Sequence, residues 1–419
     1  MRQLMSRFTS KRLLLISHHN SYRIAPYIKA AKNLGLNVTI ASQGKHSLVS
    51  EVANGIHIDF DDTASALNEI LKENQIKPFA GILGSDDQTV ELAANVAKAL
   101  NLPHNPPQAA LYSQRKDLAR AQLTLAGCPA PIHCLLDLNL PIKKQMVGLP
   151  WPCVLKPLNM SASRGVIRAD NEQEFAAACD RLRPILASAQ GEFEQSHVLL
   201  EQYIDGVEIA YEGFLYKGEL NTITIFDKPD PLVGPYFAET IYVTPSSLNA
   251  ALQQSVKAVL QQACDAYGLT TGAVHAECRI DKENNIWILE IASRTIGGDC
   301  ARILDSENFG IEELAILLAI DQPVEITIPT QARGVMMIPI TRNGLLKRVE
   351  GLLDARKVKH IDNIDIIINE GHELTPLPEG NQYLGYIFAS ADTTDQVTAA
   401  IRNAYAQLDF VTAPVFKII

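Results

Sequence analysis

The stretch IWILEIASRTIGGD, residues 286–299, decides how the rest of the chain is read. Residues 286–289 form a short apolar strand, which Glu290 closes; Arg294 follows four residues later, and Gly297-Gly298 comes next. A carboxylate at the end of a core strand is expensive to bury without a partner, so the neighbouring sequence should supply one. Just upstream, residues 273–280 alternate, with Val274, Ala276, Cys278 and Ile280 on one face and His275, Glu277 and Arg279 on the other. A hairpin loop of two residues (Glu283-Asn284) or four (Lys282 to Asn285) sets Glu277 opposite Glu290. Opposed Cβ atoms lie about 4.5–5.5 Å apart, and two carboxylates there repel unless a cation intervenes. Oxygen ligands with open positions suit Mg²⁺, which is commonly held by one or two carboxylates plus substrate phosphates. An odd-length turn instead sends the two glutamates to opposite faces, to pair with Arg279 or Arg294. Arg294 favours the first arrangement, because an arginine just past the strand can stabilise an anion formed beside a metal. Gly297 and Gly298 permit close backbone approach. His275 lies on the same face, as a structural histidine or as a site residue.

The formal net charge of −10 argues against a nucleic-acid partner, which calls for a basic surface, but leaves room for a local cluster of cations around a small anion. The seven cysteines are scattered, odd in number and without a CxxC pair, as expected of reduced thiols in a cytoplasmic protein. The start of the chain is basic and then apolar, but its apolar run, residues 13–16, is too short for a signal-peptide core. No run approaches the roughly 20 apolar residues of a membrane span. The expectation is a soluble, cytoplasmic protein with neither a nucleic-acid nor a membrane partner.

Over the first hundred residues, strand signals (13–16, 38–40, 56–60, 80–83) alternate with helical ones (25–34, 64–71, 88–100). That order implies a parallel, Rossmann-like sheet. Neither GxGxxG nor GxxxxGK[ST] is present, so the usual dinucleotide and P-loop signatures are missing; the strand ends remain free to hold part of a small substrate. Prolines at 103, 106 and 107 break the chain, and a helix is expected over 109–126. Residues from about 150 to 330 mix antiparallel strands with helices at 172–189 and 247–267. A smaller α+β unit follows, with strands at 335–340, 364–368 and 383–389 and a last helix at 394–408. The fold class is therefore α/β followed by α+β, with domains at 1–110, 111–330 and 331–419.

Other segments carry chemistry more weakly. The strand Trp151-Pro152-Cys153-Val154-Leu155-Lys156-Pro157 ends in a lysine that needs a partner. The small-residue loop from Asn159 to Val166, with Ser161, Ser163, Arg164 and Gly165, can lie over phosphates or simply form a hairpin turn. Lys116 and Arg120 sit one helical turn apart and read individually as surface charges. In VLLEQYIDGVE (198–208), backbone groups can read an adenine edge and Glu208 can accept ribose hydroxyls, or the segment is an ordinary strand and turn.

Taken in order, a helical lysine, VLKP, a Ser/Gly loop, LLEQYIDGVE, HAE and LEIASR with GG resemble the ATP-grasp superfamily of carboxylate–amine ligases. The likeness runs along nearly the whole chain. It is strongest toward the L-amino acid ligases, whose middle and C-terminal regions are similar to residues 226–232, 237–240, 377–380 and 383–386 here. The resemblance implies that Lys116 and Lys156 bind ATP phosphates and that Ser161, Ser163 and Gly165 belong to a loop closing over them. It places Glu201, Tyr203 and Ile204 at an adenine-reading hinge and Glu208 at the ribose. Glu277 and Glu290 become ligands of Mg²⁺ (or Mn²⁺), and Arg294 the catalytic arginine that steadies an acyl-phosphate. Lys228, Glu239, His275, Gly297 and Gly298 are assigned to the substrate site. One departure stands out: many members read E-I-N-x-R, with the Asn a further metal ligand, where this chain has Ala292. The expected reaction is ATP-dependent amide or peptide formation from a carboxylate and an amine, in particular amino acids, by a protein that can form a homodimer. The alternatives are an enzyme of the biotin carboxylase or phosphoribosylglycinamide synthetase type, and a nucleotide-binding module without catalysis.

Overall fold

The computed structural model describes residues 11–43, 54–142, 145, 150–189, 191–306, 310–324, 326 and 330–415; the basic first ten residues lie outside them. The N-terminal sheet is parallel. Its strands run in the order Asn54–His57, Asn37–Ser42, Arg12–Ile16, Gly81–Gly84. Leu13–Ile16 are fully buried because helices cover the sheet. One of these, Ile24–Leu34, turns Ile24, Tyr27, Ala30, Ala31 and Leu34 inward and ends at Gly35, whose φ of 75° no β-carbon residue adopts cheaply. The third strand, expected over 56–60, lies at Asn54–His57; Ile58 follows it as a buried residue outside the ladder.

The helix expected over 109–126 is two helices, Pro107–Gln114 and Lys116–Leu125. Arg115 between them is extended (φ −101°, ψ 101°) and held by Asp117 and Glu194 at 2.8 and 2.7 Å. The break makes Lys116 the first residue of a helix and aims it across at residues 158–160: its N–H donates to the Leu158 carbonyl at 3.0 Å.

A small antiparallel sheet, in the order His133–Asp137, His197–Gln202, Cys153–Pro157, Ile167–Ala169, carries the helix Glu172–Leu186 on one face. The largest sheet has eight antiparallel strands: Ile286–Ala292, Gly272–Ile280, Val207–Tyr216, Glu219–Asp227, Ile241–Thr244, Ala332–Pro339, Tyr383–Ala391 and Ile361–Ile366. Its last three strands come from the C-terminal part of the chain, so residues after 331 extend the same sheet that carries Glu277. The helices Ala250–Tyr267 and Thr394–Tyr405 pack against it, each capped by a side-chain oxygen, Asn249 and Thr393.

The Glu277–Glu290 pair forms, but not as the loop count implies. The strands pair up to Ile280 and Ile286, leaving an odd loop, Asp281 to Asn285. A bulge at Leu289 then restores the register: Cys278 faces Ile288, whereas Glu277 faces Glu290. The buried Arg120 donates to the Leu289 carbonyl and anchors the bulge.

All seven cysteines are free thiols, six of them buried. Among the described residues no helix is long and apolar enough to cross a membrane.

Candidate active site

A cavity of about 890 Å³ is lined from the parallel N-terminal sheet, the small antiparallel sheet and the eight-stranded sheet. Of the residues singled out in the sequence, Lys116, Lys156, Ser161, Ser163, Glu201, Tyr203, Ile204, Glu208, Glu239, His275, Glu277, Glu290, Arg294, Gly297 and Gly298 line it. Gly165 and Lys228 do not.

Gly165 sits beneath the small-residue loop. A β-carbon there would lie 2.6 Å from Pro157 and 3.1 Å from Leu182, at a φ of 71°. Its N–H donates to the Pro378 carbonyl at 2.9 Å, so it is not aimed at a phosphate. The loop faces the cavity with Asn159 to Ser163 and with Val166, and Lys116 Nζ donates to the Met160 carbonyl at 2.8 Å.

Glu201, next to last in the strand His197–Gln202, has its side chain fully buried between cations rather than turned toward a base. Arg120 contacts one oxygen and Lys156 Nζ lies 2.6 Å from the other. Burial alone pushes the Glu201 carboxyl up; Arg120 and Lys156 more than reverse this and bring it down to about 2. Arg120 is therefore no surface charge, being only 2% exposed. At the hinge itself, the Tyr203 N–H is taken by the Pro152 carbonyl at 3.0 Å and the Ile204 carbonyl by Arg279 at 2.7 Å. An apolar slot remains beside it, built from Val154, Tyr203, Phe237 and Leu232.

Four buried or half-buried charges gather on the central sheet. Lys228 Nζ lies 2.8 Å from Glu208, 2.6 Å from Glu239 and 3.0 Å from Glu277. The other oxygen of Glu208 accepts from Arg279 Nε at 2.9 Å, so neither oxygen is without a cation. Burial and the neighbouring Glu277 raise the Glu239 carboxyl to about 7. Glu277 moves the other way: burial opposes ionisation, but Lys228 and His275 hold it well below the usual carboxylate range. Glu290, opposite Glu277 on the backbone, turns to a different cation, Lys116, at 3.6 Å. His275 Nδ1 is 2.8 Å from the fully buried Glu212, and its Nε2 is 3.9 Å from Glu277. Burial works against its charged form, yet these two carboxylates raise it to about 9, which makes His275 a cation at neutral pH.

The other wall comes from the N-terminal sheet. Asp87, in the first turn of the helix Asp87–Ala99, grips the Arg294 guanidinium with both oxygens at 2.7 Å. Arg23 donates to Thr295 Oγ1 at 2.8 Å and to the Ile296 carbonyl at 3.0 Å, and the Gly298 N–H donates to Tyr22 Oη at 3.1 Å. Gly298 has a φ of 62°, and a β-carbon on it would fall 2.3 Å from Met337 Sδ. Asp87, Arg23 and Glu212 are the site residues that pattern reading missed, whereas it named Arg120 only as a surface charge. Only Asp87 carried a signal, as one of two acids placed just after the strand Gly81–Gly84.

The donor set suits a hard divalent cation: Glu208, Glu239 and Glu277 offer oxygens that all lie within 4.8 Å of one another, and Lys228 already seats a positive charge among them. Ala292 is fully buried and contributes no ligand.

Three regions of the chain match family models. An ATP-grasp N-terminal domain matches residues 28–104, an ATP-grasp domain residues 149–303, and the L-amino acid ligase C-terminal domain 2 residues 336–413. The chain carries an ATP-grasp domain. An uncharacterized protein of Sinorhizobium fredii is 22% identical over 93% of this ATP-grasp chain and 80% of its own length. The alanine–anticapsin ligase of Bacillus amyloliquefaciens is 24% identical over 62% of this chain and 58% of its own length, so the match spans under two thirds of that relative. The crystal structure of the L-amino acid ligase from Bacillus licheniformis superposes with a TM-score of 0.84 at 23% identity, covering 96% of this chain and 99% of that one; it shares the ATP-grasp fold described above.

Proposed function

We propose that this protein is an ATP-dependent carboxylate–amine ligase that joins amino-acid substrates by an amide or peptide bond, through an acyl-phosphate, with release of ADP and phosphate. The observation that carries this reading is the convergence, in one cavity, of Lys116, Lys156 and Arg294 with the opposed pair Glu277 and Glu290, beneath the loop Met160 to Ser163. Three cations from three separate elements suit a polyphosphate, and the acids among them suit its counter-ion.

The nucleotide base fits the apolar slot of Val154, Tyr203, Phe237 and Leu232. Lys116 and Lys156 bring positive charge to the phosphates, and Ser161 and Ser163 offer hydroxyls. Glu201 keeps Lys156 and Arg120 fixed, so its part is to place a cation rather than to read adenine. Glu208 can meet a ribose hydroxyl only with lone pairs left over from Lys228 and Arg279. Glu277 and Glu290, with Glu239 and Glu208 close by, would hold magnesium (or manganese), which when bound neutralises phosphate charge.

In the first step a carboxylate oxygen of one substrate attacks the γ-phosphorus and ADP leaves. In the second an amine attacks the acyl carbon, phosphate departs with the bonding electrons and the amine loses a proton. Arg294, held in place by Asp87, faces the charge that builds on the acyl group. The match over residues 336–413 supports amino-acid substrates over the carboxylase-like alternative.

Incubation with ATP, Mg²⁺ and pairs drawn from a panel of amino acids tests the reading. Phosphate release with a dipeptide mass in the product supports it; the absence of release with every pair removes it.

A further inference from the structure

The small-residue loop holds an unfavourable shape. Ala162 and Ser163 both have positive φ, 54° and 55°, in succession. Residues with a β-carbon avoid that region, and a loop keeps such a geometry only when its surroundings impose it. Its contacts to the C-terminal part of the chain concentrate on two residues. The Gly165 N–H donates to the Pro378 carbonyl at 2.9 Å, and Arg164 Nε donates to the Glu379 carbonyl at 2.9 Å. The Glu379 carboxylate is gripped at both oxygens by Arg181, at 2.6 and 3.0 Å, from the helix that lies under the loop. Arg181 also stacks against and bonds Tyr236. Two residues beyond Glu379, Asn381, Gln382 and Tyr383 line the same cavity as the loop does.

We propose that Pro378-Glu379 is a latch that holds the loop Met160 to Gly165 over the cavity, with Glu379 and Arg181 as positioning residues for nucleotide binding. The role in nucleotide binding rests on the ligase reading above; the clamping of the loop does not. The Arg181–Glu379 pair is 42% and 40% exposed, so it is a weak bond and salt screens it. That suits a contact that must break when the cavity opens and re-form when it closes. The latch and the wall of Asn381 to Tyr383 share one short segment, so closing the loop also sets that wall.

The test uses the full chain with R181E, E379R and the double swap. Hydrogen exchange at residues 161–166 is read without any ligand, and binding of ADP with magnesium is read by calorimetry. Each single variant should speed exchange at these residues and weaken nucleotide binding about three-fold to five-fold, while the double swap restores both toward wild type. Unchanged loop exchange in both single variants overturns the latch, as does a double swap no better than the singles. Faster exchange in a protein whose wild type binds no nucleotide leaves the clamp standing and removes the ligase reading instead.

Discussion

Both carboxylate oxygens of Asp87 lie 2.7 Å from the Arg294 guanidinium, across 207 residues of sequence. The pair joins the first helical turn after the strand Gly81–Gly84 to the second residue past the strand Ile286–Ala292, so the N-terminal part of the fold aims an arginine that leaves the eight-stranded sheet. Burial opposes ionisation of Asp87, and Arg294 more than compensates, holding its carboxyl below the usual range. D87N keeps the shape and loses the charge. If Arg294 acts on the acyl group, D87N should lower kcat about ten-fold or more with the KM for ATP changed less than about three-fold, and R294A should lower kcat by about 10²–10³-fold. Steady-state phosphate release separates these outcomes; a D87N effect confined to KM contradicts the assignment.

Glu201 links Lys156 to Arg120 inside the molecule. Its folded carboxyl titrates at about 2 against an ordinary 4.5, a depressed value, so its contribution is complete above pH 4.5 and is lost as pH falls toward 2. The shift corresponds to about 3 kcal/mol. E201Q strands the buried Arg120 and the half-buried Lys156 and should cost about 3–5 kcal/mol near neutral pH, with less additional loss than wild type below pH 4.5. Urea unfolding from pH 3 to 7 reads both numbers, and parallel curves for the two proteins exclude the triad as the cause.

Gly298 tests the tight contact behind the Gly297-Gly298 turn. G298A adds a methyl at a φ of 62°, against Met337 Sδ. It should destabilise by about 1–2 kcal/mol. Because part of that cost is the clash, M337A in the G298A background should recover a share of the melting temperature that M337A alone does not. Additive losses assign the whole cost to the backbone.

The acidic pair predicts the metal dependence. Chelation should stop phosphate release, and excess Mg²⁺ should restore it. E277Q and E290Q should each raise the Mg²⁺ concentration for half-maximal rate about ten-fold or more. A magnesium titration unchanged in E290Q would leave Glu290 as the partner of Lys116 alone.

Local order was legible where local chemistry sets it. The Ile24–Leu34 helix ends at Gly35, and β-alternation places Val274, Ala276 and Cys278 in the core. The break at Arg115 was not legible, because Glu194, 79 residues away, helps impose it. The Glu277–Glu290 pairing was read correctly, yet through an even loop; an odd loop and a bulge at Leu289 reach the same register, and the arginine that pins the bulge comes from residue 120. The site's electrostatics were least legible. The bonds Arg120–Glu201, Glu212–His275 and Asp87–Arg294 span 81, 63 and 207 residues, and no periodicity encodes a partner at that distance. Glu201 and Gly165 show the consequence: both stand where the pattern puts them, and both spend their polar groups on the protein itself.

The central claim is that a substrate carboxylate attacks ATP. Once phosphate release has identified an accepted amino-acid pair, the acid component can be supplied with ¹⁸O in its carboxylate and the released phosphate weighed. The ligase account predicts one ¹⁸O in each phosphate, because the oxygen that bridges carbon and phosphorus leaves with phosphorus when the amine attacks. Phosphate released without label would mean that water, not the carboxylate, took the phosphoryl group, and would contradict the account.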